Sequence, residues 1–382
     1  MSWNLRPPAT IDGMLREEAS LDPPPQIIDL FAGPGGLDVG ATWLDIPVTG
    51  IEWDSNACAT RREAGLVTIE DDVRNYGPSD FPEANVLTGG PPCQTFTVAG
   101  SGSGRRVLDQ VIEQAEDMAE HLGDEIPRGG FADDRTGLVL EPLRWALLAS
   151  EAGRPFDAIV LEQVPAVLPI WHVYGNILRR NGYGVDVGVL RTEEFGVPQT
   201  RRRAILIARR GRGDAEASLP VPTHQAYRRG AVEQSALALQ PWVSMGEALE
   251  RKSMFTVISN YGSGGDPRNR GQRRSDEPSA TITGKVMRNR LRLATGREER
   301  FSHHDAGRLQ TFPNDYPWSG GDVGQQIGNA IPPRLAVHVL ARALEIEVDL
   351  DELDRTVSSS WFRGRPFPLA TQPRDKLPIS QG

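Results

Sequence analysis

The apolar run Gln26-Ile27-Ile28-Asp29-Leu30-Phe31 breaks abruptly into Ala32-Gly33-Pro34-Gly35-Gly36, and a short helical stretch then reaches Leu44. A strand buried on both faces shows no polar alternation, and the sharp bend after it asks for glycine, so this is the opening unit of a doubly wound sheet. Similar short apolar runs at residues 48–53, 67–70, 84–88, 157–162, 184–190 and 204–208 read as further buried strands. Between them, residues 55–64, 108–122, 137–151 and 167–181 carry helical amphipathic spacing. The alternation predicts an α/β fold with a doubly wound, mostly parallel sheet and helices on both faces.

The 382 residues exceed the ~250–300 at which a single core stops growing. After residue 208 the rhythm gives way to Gly, Pro and Arg-rich sequence with short β-prone runs at 254–259 and 280–283, which predicts a second, smaller and irregular domain. Pro332 and Pro333 suit the first turn of a helix that continues through Leu340 to Leu344 and resumes the α/β character. The expected division is a large domain over residues 1–208, completed by about 322–348, a second domain over 209–321, and an extension over 349–382. That extension is rich in Pro, Ser and Arg and is expected to pack loosely.

Charge separates the same regions. The chain carries a net −9, yet residues 201–300 hold 20 Lys and Arg against 10 Asp and Glu, leaving 22 against 41 elsewhere. So localised a basic segment is the footprint of a module that neutralises phosphates, unless it is simply a solvated arginine-rich surface. No apolar stretch approaches the ~20 residues of a membrane span, so no membrane partner is expected. The N-terminal sequence lacks the apolar core of a signal peptide, and two cysteines cannot build a disulfide framework or a metal site; a cytoplasmic, metal-free protein is expected.

The glycine turn does not complete the dinucleotide pattern. Asp38 stands where a third glycine would fall, and a carboxylate at a helix start repels a pyrophosphate, so the turn suits an adenosyl ligand without phosphates. Glu52 closes the next strand, where it can accept from ribose hydroxyls, and Asp72 follows the third, where it can accept from an adenine amino group. Singly each reads equally as a helix cap; in strand order after a glycine turn they point to S-adenosylmethionine. Phe31 and Trp53 stand at strand ends, suited to pack on adenine or to serve as core.

Cys93 follows two prolines in Gly89-Gly90-Pro91-Pro92-Cys93-Gln94, after a strand that delivers it to the sheet end. A thiol there reads as a nucleophile or as a small buried apolar residue. Arg201 and Arg203, one residue apart on a strand-like segment, share a face from which Arg202 points away.

Eight segments, in order, now stand together: Asp29-Leu-Phe-Ala-Gly-Pro-Gly-Gly36, Glu52-Trp53, Asp72-Val73, Gly89-Gly-Pro-Pro-Cys-Gln94, Glu162-Gln163-Val164, Gln199-Thr-Arg-Arg-Arg203, Arg308-Leu-Gln-Thr-Phe-Pro313 and Gln326-Ile-Gly-Asn-Ala-Ile-Pro-Pro333. Across roughly residues 27–344 the chain resembles the bacterial-type cytosine-C5 DNA methyltransferases. The resemblance implies S-adenosylmethionine held by Asp29, Phe31, Gly33, Gly35, Gly36, Glu52, Trp53, Asp72, Val73, Pro92 and Asn329, and no metal. It implies that Cys93 attacks carbon 6 of cytosine, that Glu162 stabilises charge at N3, and that Arg201 and Arg203 orient the glutamate and hold a flipped base.

Double-stranded DNA is the implied partner, read by the basic region over residues 209–293, with a monomeric enzyme and a cognate restriction endonuclease as genetic partner. Residues 99–106, with five glycines or serines before Arg105 and Arg106, suit a mobile closing loop. Gln163 stands where the family has Asn, and Thr95-Phe96-Thr97 replaces its usual small residue, Phe and Ser. A Phe-Thr pair also occurs in the family's tRNA-modifying branch, so tRNA is the rival substrate; a catalytically silent DNA-binding protein is the rival of another class. His303 and His304 are adjacent and cannot readily face one ion, which makes them structural or surface residues.

Overall fold

The structure, a computed structural model, describes residues 23–92, 102–120, 134–229, 239–262 and 270–362. Eight strands lead the chain: β1 (Ile27–Leu30), β2 (Val48–Glu52), β3 (Thr68–Glu70), β4 (Val86–Gly89), β5 (Ala158–Gln163), β6 (Tyr183–Arg191), β7 (Gln199–Thr200) and β8 (Arg202–Arg210). Seven of them form one sheet in the order β3-β2-β1-β4-β5-β8-β6. β1 to β5 are parallel, whereas β8 lies antiparallel between β5 and β6. The order reverses between β1 and β4, so the chain leaves their carboxyl ends in opposite directions and opens a crevice there.

Helices cover both faces. α3 (Gly102–Glu120), α5 (Glu141–Glu151) and α6 (Leu168–Arg180) pack one side around the fully buried Trp145, Trp171 and Tyr174, with the single-turn α4 (Asp134–Gly137) ahead of α5. α1 (Gly36–Trp43) and α10 (Pro333–Ala343) cover the other with Trp43, Leu335 and Val339, while α2 (Ser55–Glu63) follows β2. A Cβ on Gly40 would fall 2.8 Å from that of Ala336, so glycine sets how closely α1 and α10 approach.

Two expectations need correction. Residues 102–106, assigned to a closing loop, form the start of α3. The buried stripe Val111, Ala115 and Met118 anchors that helix, and its propagation through the preceding glycines outweighs their poor helix propensity. Residues 99–101 lie outside the described residues. The start of the extension is not loose either: α11 (Leu350–Val357) buries Leu353 completely, and the Trp361 indole donates to the Ala64 carbonyl at 3.1 Å. An apolar residue and a tryptophan in a polar segment sufficed to dock it.

The second region has its own antiparallel sheet, β10-β9-β12-β13, formed by β9 (Phe255–Gly262), β10 (Arg270–Arg274), β12 (Arg290–Leu293) and β13 (Glu298–Glu299). Its core gathers Met245 from α7 (Met245–Ala248), Phe255, Val257, Leu291, Phe301 and Leu309 from α8 (His303–Leu309), and Ile327 from α9 (Val323–Asn329). The short β11 (Ser279–Ala280) pairs in parallel with β7 and sews this region to the large one.

Candidate active site

A cavity of about 800 Å³ opens at the carboxyl ends of the central strands. Of the residues singled out from sequence, Asp29, Phe31, Gly33, Gly36, Glu52, Trp53, Asp72, Val73, Pro92, Glu162, Arg201, Arg203 and Asn329 all border it. Gly35 does not: it is the left-handed N-cap of α1 at φ 99°, and a Cβ there would fall 2.8 Å from the Tyr316 hydroxyl. Cys93 itself lies outside the described residues.

One end of the cavity is acidic. Glu52 receives the Gly33 N–H on Oε2 and the Asp54 N–H on Oε1, both at 2.7 Å, so the end of β2 holds the glycine turn in place. Each oxygen keeps a further lone pair. Burial pushes the Glu52 carboxyl up, the two N–H donors opposing it. Asp29, 4% exposed, accepts from the Thr88 hydroxyl at 2.7 Å, and burial with the nearby Asp38 raises its pKa. Asp72 caps the short turn Val73–Asn75 and is gripped by the Arg74 guanidinium, at 2.5 Å for the closest pair. Trp53 is 63% exposed beside them and Phe31 adopts φ 62°, a left-handed conformation a non-glycine residue rarely takes.

Asp38 is not the charge that an approaching phosphate would meet. Asp38 does not border the cavity: it is 1% exposed and paired with Arg61 at 2.7 and 2.8 Å, inside the contact of α1 with α2. Its charge is spent on Arg61. The acidic residues that border the cavity are instead Asp29, Glu52, Asp54, Asp71 and Asp72.

The other end joins β5 to β8. Because these strands run antiparallel with Glu162 opposite Ile205, Arg203 comes alongside Glu162, its Nε 2.5 Å from Oε1. The approach lacks hydrogen-bond direction, leaving that oxygen without a directional donor. Arg201 and Arg203 do share the inward side while Arg202 is exposed, yet their contacts differ. Arg201 donates to the carbonyls of Ile282, Gly328 and Ala330 at 3.0, 3.0 and 3.3 Å. Gln163, in place of the family's Asn, donates its amide to the Pro91 carbonyl and accepts the Val164 N–H at 2.5 Å, so it holds the proline turn that leads to Cys93.

The second cysteine is disqualified as a nucleophile. Cys58 is fully buried, its thiol donates to the Glu52 carbonyl at 3.3 Å, and burial followed by the Glu52 charge pushes its pKa up to about 12.

Sequence reasoning missed several wall residues. Asp71 was readable as the neighbour of Asp72, but its carboxylate serves the Asp72 N–H, Asn75 and Tyr76. Arg135, residues 281–285 and Gln325 also border the cavity and carry no local signal, since only the tertiary fold brings them there. Asn329 ends α9 and receives the Gln325 amide at 2.7 Å. His303 and His304 are exposed at the start of α8, and no group of metal-ligating side chains occurs among the described residues. Among those residues, no helix is long and apolar enough to cross a membrane.

Known proteins fit this geometry. The family model for C-5 cytosine-specific DNA methylases matches residues 25–345. Type II methyltransferase M1.HphI of Haemophilus parahaemolyticus is 27% identical over 84% of this chain and 87% of its own, and M.NgoFVII of Neisseria gonorrhoeae is 25% identical over 86% and 90%. The fold is shared with the Dnmt2 methyltransferase of S. pombe, at TM-score 0.58 and 17% identity over 84% of this chain and 98% of that one. With most of its length matched by the family model, the chain belongs to the C-5 cytosine-specific DNA methylases, enzymes that methylate carbon 5 of cytosine in DNA.

Proposed function

We propose that this enzyme transfers a methyl group from S-adenosylmethionine to carbon 5 of a flipped cytosine in a specific duplex sequence, with Cys93 as nucleophile. The observation that carries this reading is the Glu162–Arg203 pair beside the Gln163-held proline turn, in the same cavity as a cluster of carboxylates. That cluster suits the cofactor: it repels phosphates, attracts a ligand bearing sulfonium and ammonium charges, and leaves acceptor capacity on Glu52 for ribose hydroxyls. When bound, S-adenosylmethionine supplies an electrophilic methyl group.

The chain's residues prepare the base for it. Carbon 5 of cytosine is too weak a nucleophile by itself, so the Cys93 thiolate adds to carbon 6 and turns carbon 5 into an enamine-like centre. Negative charge then develops at N3, where the Glu162 carboxyl, carrying a proton, stabilises it by donating a hydrogen bond while Arg203 holds the group in place. Loss of the carbon 5 proton to solvent and departure of the Cys93 sulfur restore the aromatic ring. Extrusion of the base costs a few kcal/mol of stacking and pairing, which phosphate contacts must offset.

The second region, residues 209–321, would read the target through Arg, Asn and Gln side chains at base edges, with residues 1–208 and 322–348 forming the catalytic domain. The names of the relatives support a restriction-modification setting with a cognate endonuclease as genetic partner, and we read the enzyme as a monomer. The Phe96-Thr97 pair keeps tRNA as the second substrate reading.

The test is methyl transfer to duplex DNA and to tRNA, followed by bisulfite sequencing of DNA from cells expressing the protein. A strong preference for tRNA sinks the DNA reading. Duplexes carrying 5-fluorocytosine should trap the wild type covalently and leave Cys93→Ala untrapped; absence of a wild-type adduct in the presence of S-adenosylmethionine sinks the mechanism.

A further inference from the structure

The glycine turn at the cavity is braced from behind by a contact that begins in the C-terminal extension, beyond residue 345 where the family match ends. Phe31, Gly33 and Gly35 take left-handed φ values of 62°, 56° and 99°, and the non-glycine member of such a series persists only where its surroundings hold it. On the cavity side Glu52 takes the Gly33 N–H. On the other side the Tyr316 hydroxyl donates to the Pro34 carbonyl at 2.6 Å. Tyr316 is fully buried, and burial together with the Asp38 charge raises its pKa, so the phenol keeps the proton it donates.

Tyr316 is in turn held by rings. Phe312 and Trp318 lie 4.8 and 4.9 Å from it between centroids, and the Trp361 ring completes the group edge-on at 5.6 Å. Trp361 is fixed through backbone and side chain alike. Its backbone N–H donates to Asp315 Oδ1 at 2.7 Å and its indole N–H to the Ala64 carbonyl just past α2 at 3.1 Å, while the Ser360 hydroxyl donates to Asp315 Oδ2. Asp315 precedes Tyr316 in the chain, so residues 360 and 361 clamp the segment that presents the phenol. α11 secures their approach: Leu353 is fully buried, and Asp354 pairs with Arg334 of α10.

We propose that Trp361 is a positioning residue for the cofactor, its ring packed on Tyr316 so that the phenol stays against the Pro34 carbonyl and residues 31–36 stay in the conformation that receives the ligand. Without that ring the turn samples other conformations, and the apparent affinity falls by the fraction of molecules that remain competent. A bound ligand restores the turn, so turnover at saturation is spared. The inference rests on the cofactor reading above and goes beyond it, because Trp361 does not border the cavity and would touch no ligand.

The test measures S-adenosylhomocysteine binding to the full-length enzyme by calorimetry, alongside KM for S-adenosylmethionine, kcat and Tm. Tyr316→Phe deletes one oxygen and takes this donor from the Pro34 carbonyl; Kd for S-adenosylhomocysteine should rise about fivefold while kcat at saturation stays within about twofold of wild type. Trp361→Ala should raise Kd about three- to fivefold, and Trp361→Phe, which keeps a ring against Tyr316, should return it to within about twofold. Trp361→Ala/Tyr316→Phe should bind no more than about twofold more weakly than the weaker single variant, because both changes break one brace. Ile177→Val, in the core on the opposite face of the sheet, should lower Tm and leave Kd unchanged, which separates bracing from general loss of stability.

Where Trp361→Ala does not fold, Trp361→Leu, which fills more of the site, takes its place. A wild-type Kd in folded Tyr316→Phe or Trp361→Ala overturns the proposal, as do effects that multiply in the double variant or a Trp361→Phe that binds as weakly as Trp361→Ala. A wild type that does not bind S-adenosylhomocysteine overturns the cofactor reading, and this inference with it.

Discussion

Three ion pairs at three depths divide the labour of the molecule. Arg61–Asp38 is sealed at 0% and 1% side-chain exposure, Arg203–Glu162 sits at 11% and 13% on the cavity wall, and Arg290–Glu298 lies open at 40% and 35% on the second sheet. The chemistry is the same, guanidinium to carboxylate, yet the surroundings give each a different task. The sealed pair cannot exchange partners, so it serves architecture. The wall pair is screened enough to hold a geometry and open enough to meet a base. The surface pair is weak, and its arginine is free to trade a carboxylate for a phosphate.

Breaking the sealed pair should have the largest effect. Arg61 also donates to Thr68 Oγ1 at 2.9 Å and to the Val67 carbonyl at 3.1 Å, so it ties α1, α2 and the start of β3 together. Arg61→Met leaves Asp38 buried without its countercharge and should lower unfolding stability by about 3–5 kcal/mol. The double variant Arg61→Met/Asp38→Leu should recover most of that loss in denaturant titrations, because it is the orphaned charge that costs. Equal losses in both variants would show that packing, not charge, governs the site.

At the wall the same operation should strike catalysis more than folding. Arg203→Gln removes the charge beside Glu162, and kcat should fall about 10²- to 10³-fold, the range for losing one group that stabilises developing charge. Stability should change by only about 1 kcal/mol, as for an ordinary single substitution. A loss confined to KM for DNA would instead place Arg203 in ground-state binding.

Much of this frame was legible in the sequence because β1 to β5 are short apolar runs whose ends carry the acidic residues. Asp29, Glu52 and Asp72 mark those ends, and the parallel sheet puts such ends side by side. What escaped is long-range or directional. Asp38 looked like a ligand-facing charge because Arg61 lies 23 residues away, and nothing local announces that pairing. Alternation placed Arg201 and Arg203 on one side but could not tell a carbonyl from a carboxylate as partner. The antiparallel insertion of β8 was likewise invisible, since an apolar run carries no mark of direction.

A buried histidine pair extends the comparison to groups that stay neutral. His224 and His338 are 2% and 7% exposed, and burial with the neighbouring Arg334 holds their pKa values down at about 4 and about 3. Arg334 is itself paired with Asp354, and the Phe195 ring packs 5.3 Å from that of His338. Folded values below the unfolded value of about 6.5 mean that the unfolded chain takes up protons first. The stability these histidines contribute is present above about pH 6.5 and is lost as pH falls toward 4 and then 3. The raised carboxyls of Asp29 and Glu52 act with the opposite sign, so the informative quantity is the difference between variants. His338→Phe, which fits beside Phe195 and cannot be protonated, should flatten the fall of unfolding free energy between pH 6.5 and 4 by up to about 3 kcal/mol. An unchanged pH slope would remove His338 from the account.

The smallest effect on folding belongs to the surface pairs, and it makes the sharpest contrast. Arg290 and Arg292 both lean on Glu298, at 3.0 and 3.4 Å, and exposed pairs of this kind contribute about 0–1 kcal/mol. Arg290→Ala/Arg292→Ala should therefore leave Tm nearly unchanged. Duplex binding should weaken, and the slope of log K against log salt should become shallower by about 0.9 for each phosphate contact removed. Glu298→Gln should do the reverse: it frees both arginines from their intramolecular partner and should tighten binding at low salt, with the gain fading as salt screens it. If both substitutions alter stability and leave the salt slope untouched, these arginines belong with Arg61 as parts of the frame, and the DNA-facing surface must be sought elsewhere on the second region.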